Sequence, residues 1–414
     1  MNKVRISGVG CCLMDRIYDH VDFRSEAFRH VLSRKAGDGG LEPGKLTFEE
    51  ELERFSGQSF PADILPSLTE GRKPDKENIG GPCVVALINA AQIAADESTV
   101  GFYGCRGDDG VGQELLRRLS LTNLDLAHFR TEQGAETAST SVLSDPQYDN
   151  GHGERTFVNT IGASWHYMPE ELDDSFFRSD ICVFGGTALV PRIHQGLTPL
   201  LAKAKSCGSI TVVNTVYDFL NEKKDPSQRW PMGDGDAAYR YIDLLIVDHE
   251  EALRLSGEDS IPAAIAFFRG KGAGAVLVTN GARNVSLWAD SPLFGQVPEQ
   301  TMPVSAAVGQ ALREGKKGDS TGCGDNFAGG VIASLARQMY AFRCKGDEVA
   351  DGKSSGADRL LSLREACRWG IVSGGFACFY YGGTYVEPHP GEKLSHLQQL
   401  YDRYLEQEKS LSPS

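Results

Sequence analysis

No run in the sequence approaches the roughly 18 apolar residues that a membrane-spanning helix needs, so no membrane association is expected. There is no C-x-x-C pair and no grouping of cysteine with histidine at metal-ligand spacing. The ten cysteines fall largely in apolar runs, as Cys83, Cys182 and Cys378 do. That usage argues against a disulfide framework and for free thiols in a reducing, cytoplasmic setting. Basic charge is in deficit. The formal net charge of −14 makes nucleic acid an unfavourable partner, and any phosphate must be held by backbone dipoles or a few fixed cations. The loop G-x-x-x-x-G-K-[ST] is absent, which excludes a P-loop kinase. A signal peptide is also not expected. The apolar stretch 6–14 follows Lys3 and Arg5, but it carries Gly8 and Gly10, lacks a small-residue cleavage site and runs into Asp15. It reads as a β-strand.

What is present is a chain of 414 residues, 41% apolar and 24% charged, long enough to bury a sizeable core. Strand and helix patterns alternate through most of it. Residues 4–9, 99–105, 181–184, 210–214, 244–247 and 275–279 read as short strands, and 83–95, 112–119 and 192–206 as helices, with Pro82 at a first helical position. That order predicts a largely parallel sheet with helices on both faces. Two regions break the rhythm. Residues 138–160 alternate around the turn 149–153, which suits a small antiparallel sheet. Residues 23–78 form a long mixed insertion. Residues 343–358 read as a polar surface loop and 406–414 as a frayed end.

The chemistry concentrates at one place. From Asp325 onward Phe327, Val331, Leu335 and Met339 recur every four residues with Ile332 beside them, the pattern of a helix burying one face. Gly322-Cys323-Gly324 stands directly before it, and glycines there let backbone N–H groups converge on an anion. Read alone, Asp325 is as good a helix N-cap as a catalytic group. Beside an anion site it becomes a candidate base for phosphoryl transfer, which needs an acceptor for the hydroxyl proton and donors for the moving charge.

Asp319-Ser-Thr-Gly-Cys-Gly-Asp325-Asn-Phe327 resembles the D-T-x-G-A-G-D-x-F signature of the ribokinase-like, or PfkB, carbohydrate kinases, with Ser320 and Cys323 as small-for-small departures. The resemblance extends in order from residue 4 to about 390. It implies an ATP- and Mg²⁺-dependent kinase acting on a small sugar-type substrate, with one kinase domain over residues 1–414. The implied fold is a three-layer Rossmann-like α/β core, mostly parallel, with a small β-sheet lid drawn from about 15–80 and 127–162.

The same resemblance assigns Asp325 as base and the Gly322, Cys323 and Gly324 amides as the anion hole. Asp15, at the end of the first strand, with Gly80 and Gly81, would hold the acceptor. Asp248, Glu251, Thr279 and Gly281 would serve ATP, with Glu251 organising Mg²⁺ through water. Asp248 replaces an amide of the family pattern, and Asn284 replaces a later glycine on the ground that Asn tolerates a left-handed turn. Asp319 would help hold a monovalent cation such as K⁺, unless it is a buried turn cap. The Gly104–Gly112 segment reads as a structural turn shaped by Asp109 and Gly110. Thr137, the 153–155 stretch and Gly162-Ala163 read as lid strands and the return to the core. Arg106 and Arg155 are arginines that could meet a phosphate. Departures leave the acceptor open. Val85 stands where the family places an Asn, and the long insertion would reshape the lid, so a nucleoside kinase and a non-catalytic ligand-binding relative are alternatives. Pairing of two chains through the lid follows by analogy alone.

Overall fold

Short runs of aliphatic and β-branched residues form fifteen strands in the described residues. They are β1 (Val4–Val9), β2 (Leu13–Tyr18), β3 (Leu46–Phe48), β4 (Lys76–Gly80), β5 (Ser98–Gly107), β6 (Leu124–Asp125), β7 (Phe129–Glu132), β8 (Ser139–Asp145), β9 (Glu154–Thr160), β10 (Ile181–Gly185), β11 (Ile210–Asn214), β12 (Leu244–Asp248), β13 (Ala275–Thr279), β14 (Asn284–Ser291) and β15 (Gly295–Pro303). The computed structural model describes residues 2–35, 37–151, 153–345 and 360–411. Residues 346–358 of the expected polar loop, His152 of the expected turn and residues 412–414 lie outside the described residues.

Ten strands make the core sheet, in the order β15-β14-β13-β12-β11-β10-β1-β5-β6 with β7 added on β5. It is parallel from β13 through β10 and β1 to β5, and β14 and β15 close one edge as an antiparallel hairpin. Side chains alternate between two cores. On β10, Ile181 and Val183 join one apolar cluster while Cys182 and Phe184 join the other, and on β12 Leu244 and Ile246 part from Leu245 and Val247 in the same way. Helices cover both faces, giving the three layers expected. The chain passes from β1 to β5 on one side and to β10 on the other, so the strand order reverses around β1 and leaves a crevice at the carboxyl ends of these strands.

A second, five-stranded sheet runs β3-β9-β8-β2-β4. The expected antiparallel pair is β8 with β9. The sheet as a whole is mixed, because β2 runs parallel to β8 and β3 parallel to β9. The expected single strand over 6–14 is two strands in two sheets. The chain leaves the core after Val9, passes through Gly10-Cys11-Cys12 and enters the lid at Leu13. Asp15 therefore lies inside a lid strand and not at the end of the first strand.

The insertion supplies strands β3 and β4 and three short helices, α1 (Glu26–Val31), α2 (Glu49–Ser56) and α3 (Leu65–Thr69). Their apolar faces bury Phe28, Val31, Leu52 and Leu68 against Tyr18, Leu143 and Val158 of the sheet. The two-residue period of a strand decides which side chains meet them. Tyr18 turns to the insertion, and Asp15, three residues earlier, turns to the opposite face with its register partner Thr140.

The core helices follow their start signals. Gly81 precedes Pro82 at the head of α4 (Pro82–Ile93), which is buried along its whole length, as its apolarity on every side requires. Asp109 caps α5 (Gly110–Leu119), accepting from Gly112 N–H at 2.7 Å and from the Thr137 backbone and hydroxyl. Asp248 caps α6 (His249–Ser256). The helix expected over 192–206 is broken at Gly196 into two. α7 (Cys323–Cys344) buries Phe327, Val331, Ile332, Leu335 and Met339 as its periodicity predicts. α8 (Leu363–Ala377) packs on it, and α9 (Glu392–Leu411) closes the layer. The frayed end expected from 406 is instead helical to Leu411, because Arg364 and Arg368 both donate to Glu408. Among the described residues no helix is long and apolar enough to cross a membrane.

Candidate active site

The head of α7 shows why the sequence needs glycine there. Gly322 is the N-cap with φ +72°, and a β-carbon on it would come within 2.5 Å of Gly383 Cα. Gly324 has open space above it. A helix leaves its first N–H groups without partners inside the helix, so this turn presents donors and the positive end of the dipole to the cleft. The Cys323 N–H turns back to Ser320 O at 3.3 Å. Asp325 is the third residue of the helix and not its cap, so the capping reading is set aside. Burial raises its pKa to about 6.

Asp15 faces Asp325 from the lid. Burial, then the Asp325 charge, raise the Asp15 pKa to about 7, with Thr140 pulling the other way by hydrogen bonding and Asp319 adding to the rise. The di-glycine is fitted to this carboxylate. A β-carbon on Gly80 would lie 2.3 Å from Asp15 Oδ2, and one on Gly81, at φ +112°, would lie 2.5 Å from Cys11 O. Beside Asp15 the cleft is lined by Cys11, Leu13, Phe48 and Asn159 from the lid side and by Trp165, Leu189 and Phe219 from the core side. Between lid and core the space there is about 20 Å³. The contacts that join lid to core include three near this lining. Phe48 meets Phe219 edge-on at 6.4 Å, Lys223 pairs with Glu51, and Arg155 Nη1 reaches Asp319 Oδ2 at 3.6 Å. Val85 lies away from this lining, packed beneath Gly383.

On the other side of the cleft Asp248 and Glu251 form a reciprocal cap. Asp248 Oδ1 accepts from Glu251 N–H at 2.7 Å, and Glu251 Oε2 accepts from Asp248 N–H at 3.1 Å and from the Thr215 hydroxyl. Asp248 is exposed and Glu251 buried. Burial, then Asp248, push the Glu251 pKa well up, and Asp325 adds to the rise. Thr279 ends β13 and Gly281, at φ +51°, makes the turn into β14. Asn284 is not left-handed. It begins β14, and its carbonyl accepts from Asn280 N–H at 3.0 Å. Asp319 does cap a turn, accepting from Thr321 and Gly382 N–H on Oδ1, while its buried Oδ2 has no hydrogen bond.

One residue escaped the sequence reading. Lys393, in the first turn of α9, is 1% exposed, and its Nζ donates to Asn326 Oδ1 at 2.9 Å. Asn326 in turn donates to Gly322 O and Gly383 O, and its carbonyl accepts from buried Asn89, so it pins the turn that carries Asp325. Lysine at the start of a polar helix carries no local signal of burial.

The family model described as pfkB family carbohydrate kinase matches residues 76–390. A fructokinase from Klebsiella pneumoniae is 27% identical over 280 residues, spanning 66% of this chain and 81% of that protein. Among solved structures, the adenosine kinase from Sinorhizobium meliloti superposes with a TM-score of 0.65 at 16% identity, over 96% of this chain and 99% of that one. A putative ribokinase II from E. coli, in complex with ATP and Mg²⁺, gives 0.59 at 16% identity, over 97% and 99%.

Proposed function

This chain belongs to the pfkB family of carbohydrate kinases and is an ATP-dependent phosphotransferase. From that premise we propose that it moves the γ-phosphoryl group of ATP to a hydroxyl of a sugar or nucleoside, with Asp325 as catalytic base. The observation that carries the reading is the approach of the lid strands to the glycine-framed head of α7, where Asn78, the register partner of Asp15, donates to Tyr381 O, Gly383 packs on Gly322, and buried Asp15 feels the Asp325 charge. Asp15, with Gly80 and Gly81 beneath it, orients the acceptor hydroxyl. Asp325 takes its proton, and the Gly322–Gly324 turn holds the charge on the moving group, an arrangement in which each donor contributes about 3 kcal/mol. Shutting the lid excludes water, the competing acceptor.

Mg²⁺ fits the donor set. It keeps several waters and takes one or two carboxylates with substrate phosphates, and Glu251 with Asp248 beside it offers that without a cage. When bound it supplies neutralisation of the phosphate charge. Thr279 and Gly281 lie at the next strand end, where the ATP phosphates would reach. The buried Oδ2 of Asp319 is where K⁺ would bind once Arg155 swings away with the lid. Stimulation of turnover by K⁺ over tetramethylammonium supports that role, and equal rates reject it.

A specific observation favours the nucleoside alternative. Phe48, Trp165, Leu189 and Phe219 give the acceptor side a wall suited to a planar apolar ring. The test is ADP release with hexoses, hexose phosphates and nucleosides, run on wild type and Asp325→Asn. The reading expects one class to be turned over and Asp325→Asn to lose about 10²–10⁴-fold in kcat. Turnover in Asp325→Asn within about tenfold of wild type removes the base assignment.

A further inference from the structure

Cys323 and Cys378 bring their sulfurs to 3.4 Å. Cys323 is the first residue of α7, between the two glycines of the anion turn, and Cys378 follows the last residue of α8. Both are partly exposed, whereas Cys11, Cys12, Cys83, Cys105, Cys182 and Cys367 are buried. The pair is thus open to a small oxidant and already in contact. We propose that Cys323 and Cys378 are an oxidation site, at which a peroxide closes a disulfide that disables the anion turn until a dithiol reopens it. The consequence for turnover rests on the kinase reading above, while the oxidation itself does not.

The chemistry balances with hydrogen peroxide as oxidant. The Cys378 thiolate attacks one peroxide oxygen; an S–O bond forms, the O–O bond breaks, and the leaving hydroxide takes a proton to become water. The Cys323 thiolate, its proton lost to solvent, attacks the sulfenic sulfur; the S–S bond forms, the S–O bond breaks, and a second water leaves. Two thiols have lost two electrons and two protons, and the peroxide is reduced to two waters. The division of roles follows from the contact. The hydrogen bond from Cys323 lowers the Cys378 pKa, against its burial, and the same contact raises that of Cys323.

A disulfide bond is about 2.05 Å long, so the sulfurs must close by more than an ångström from their present separation. The helices around them have little room to give. A β-carbon on Gly374 would lie 2.9 Å from Cys323 O, and one on Gly370 would lie 2.8 Å from the Phe327 ring. The movement therefore falls on the Gly322–Gly324 turn and on the 378–383 loop beneath it. A displacement of about 1 Å in catalytic geometry costs on the order of 10²-fold in rate.

The test treats the full-length protein with hydrogen peroxide, alkylates the remaining thiols and maps disulfides by mass spectrometry, with turnover measured in parallel. The expected result is a linked pair of peptides carrying Cys323 and Cys378, with turnover down on the order of 10–10²-fold and restored by dithiothreitol. Cys378→Ser should keep wild-type turnover before treatment and resist the loss, although Cys207 and Cys344 stay exposed in it. The proposal is overturned if no linked peptide forms, or if Cys378→Ser is inactivated as fast as wild type. A linked protein that turns over normally overturns the disabling role. A linked peptide in a protein that phosphorylates no acceptor even when reduced supports the oxidation site and counts against the kinase reading instead.

Discussion

As the proposed base, Asp325 must be ionised to accept a proton, and its pKa of about 6 places that ionisation close to neutrality. Asp15, at about 7, titrates beside it. Turnover should therefore fall as pH drops through 7 towards 6, and a kcat–pH profile flat down to pH 5 would contradict the pairing of these carboxylates. Lys393 gives a second, independent titration. Burial lowers its pKa from 10.5 to about 7, partly opposed by Glu387. Between those values the unfolded chain binds a proton that the folded chain has lost, so this lysine makes folding more favourable as pH rises through the window. Urea unfolding of wild type and Lys393→Met should show that rise in the wild type and its absence in the variant. Such residues differ in how far they can be read in advance. The place of Asp325 at the head of a helix was legible because glycines precede it and a four-residue apolar period follows it. Lys393 was not, since only the tertiary packing of α9 on Tyr380, Tyr385 and Asn326 makes a polar-looking position a buried one.

At the level of elements, strand content was legible wherever the signal was local, as over 210–214 and 275–279. Where a strand belonged was not, because the apolar run 6–14 gives no local sign that it crosses from one sheet to another. The lid strand β2 and the insertion show what that crossing accomplishes. One face of β2 gives Asp15 to the cleft, and the other gives Tyr18 to the insertion's own core. In that core Phe28 stacks on Phe23 with ring centroids 4.3 Å apart. Phe28→Ala should cost about 3–5 kcal/mol within this cluster. Hydrogen exchange should then speed up across residues 23–78 and leave β10–β12 protected. Equal loss of protection in both would mean that insertion and core unfold as one unit. Gly81→Ala tests the di-glycine at the same scale. With φ at +112° and a carbonyl 2.5 Å from the new β-carbon, it should lower both Tm and kcat, whereas Gly208→Ala, at φ +86° with open space, should lower Tm alone.

For the whole molecule, the insertion lies over the sheet face that turns away from the cleft, burying Tyr18, Leu143 and Val158 within the same chain. That face is already covered within one chain, so sedimentation at micromolar concentration should report a monomer, and a dimer would contradict this expectation. The bond between Lys393 and Asn326 carries a consequence of another kind. A ribosome delivers residue 326 well before residue 393, so a growing chain holds every carboxylate of the proposed site while Asn326, bonded to Gly322, Gly383 and Asn89, still lacks its lysine donor. On the proposed function, the lysine donor to Asn326 would then arrive only with α9, after every residue proposed for the chemistry.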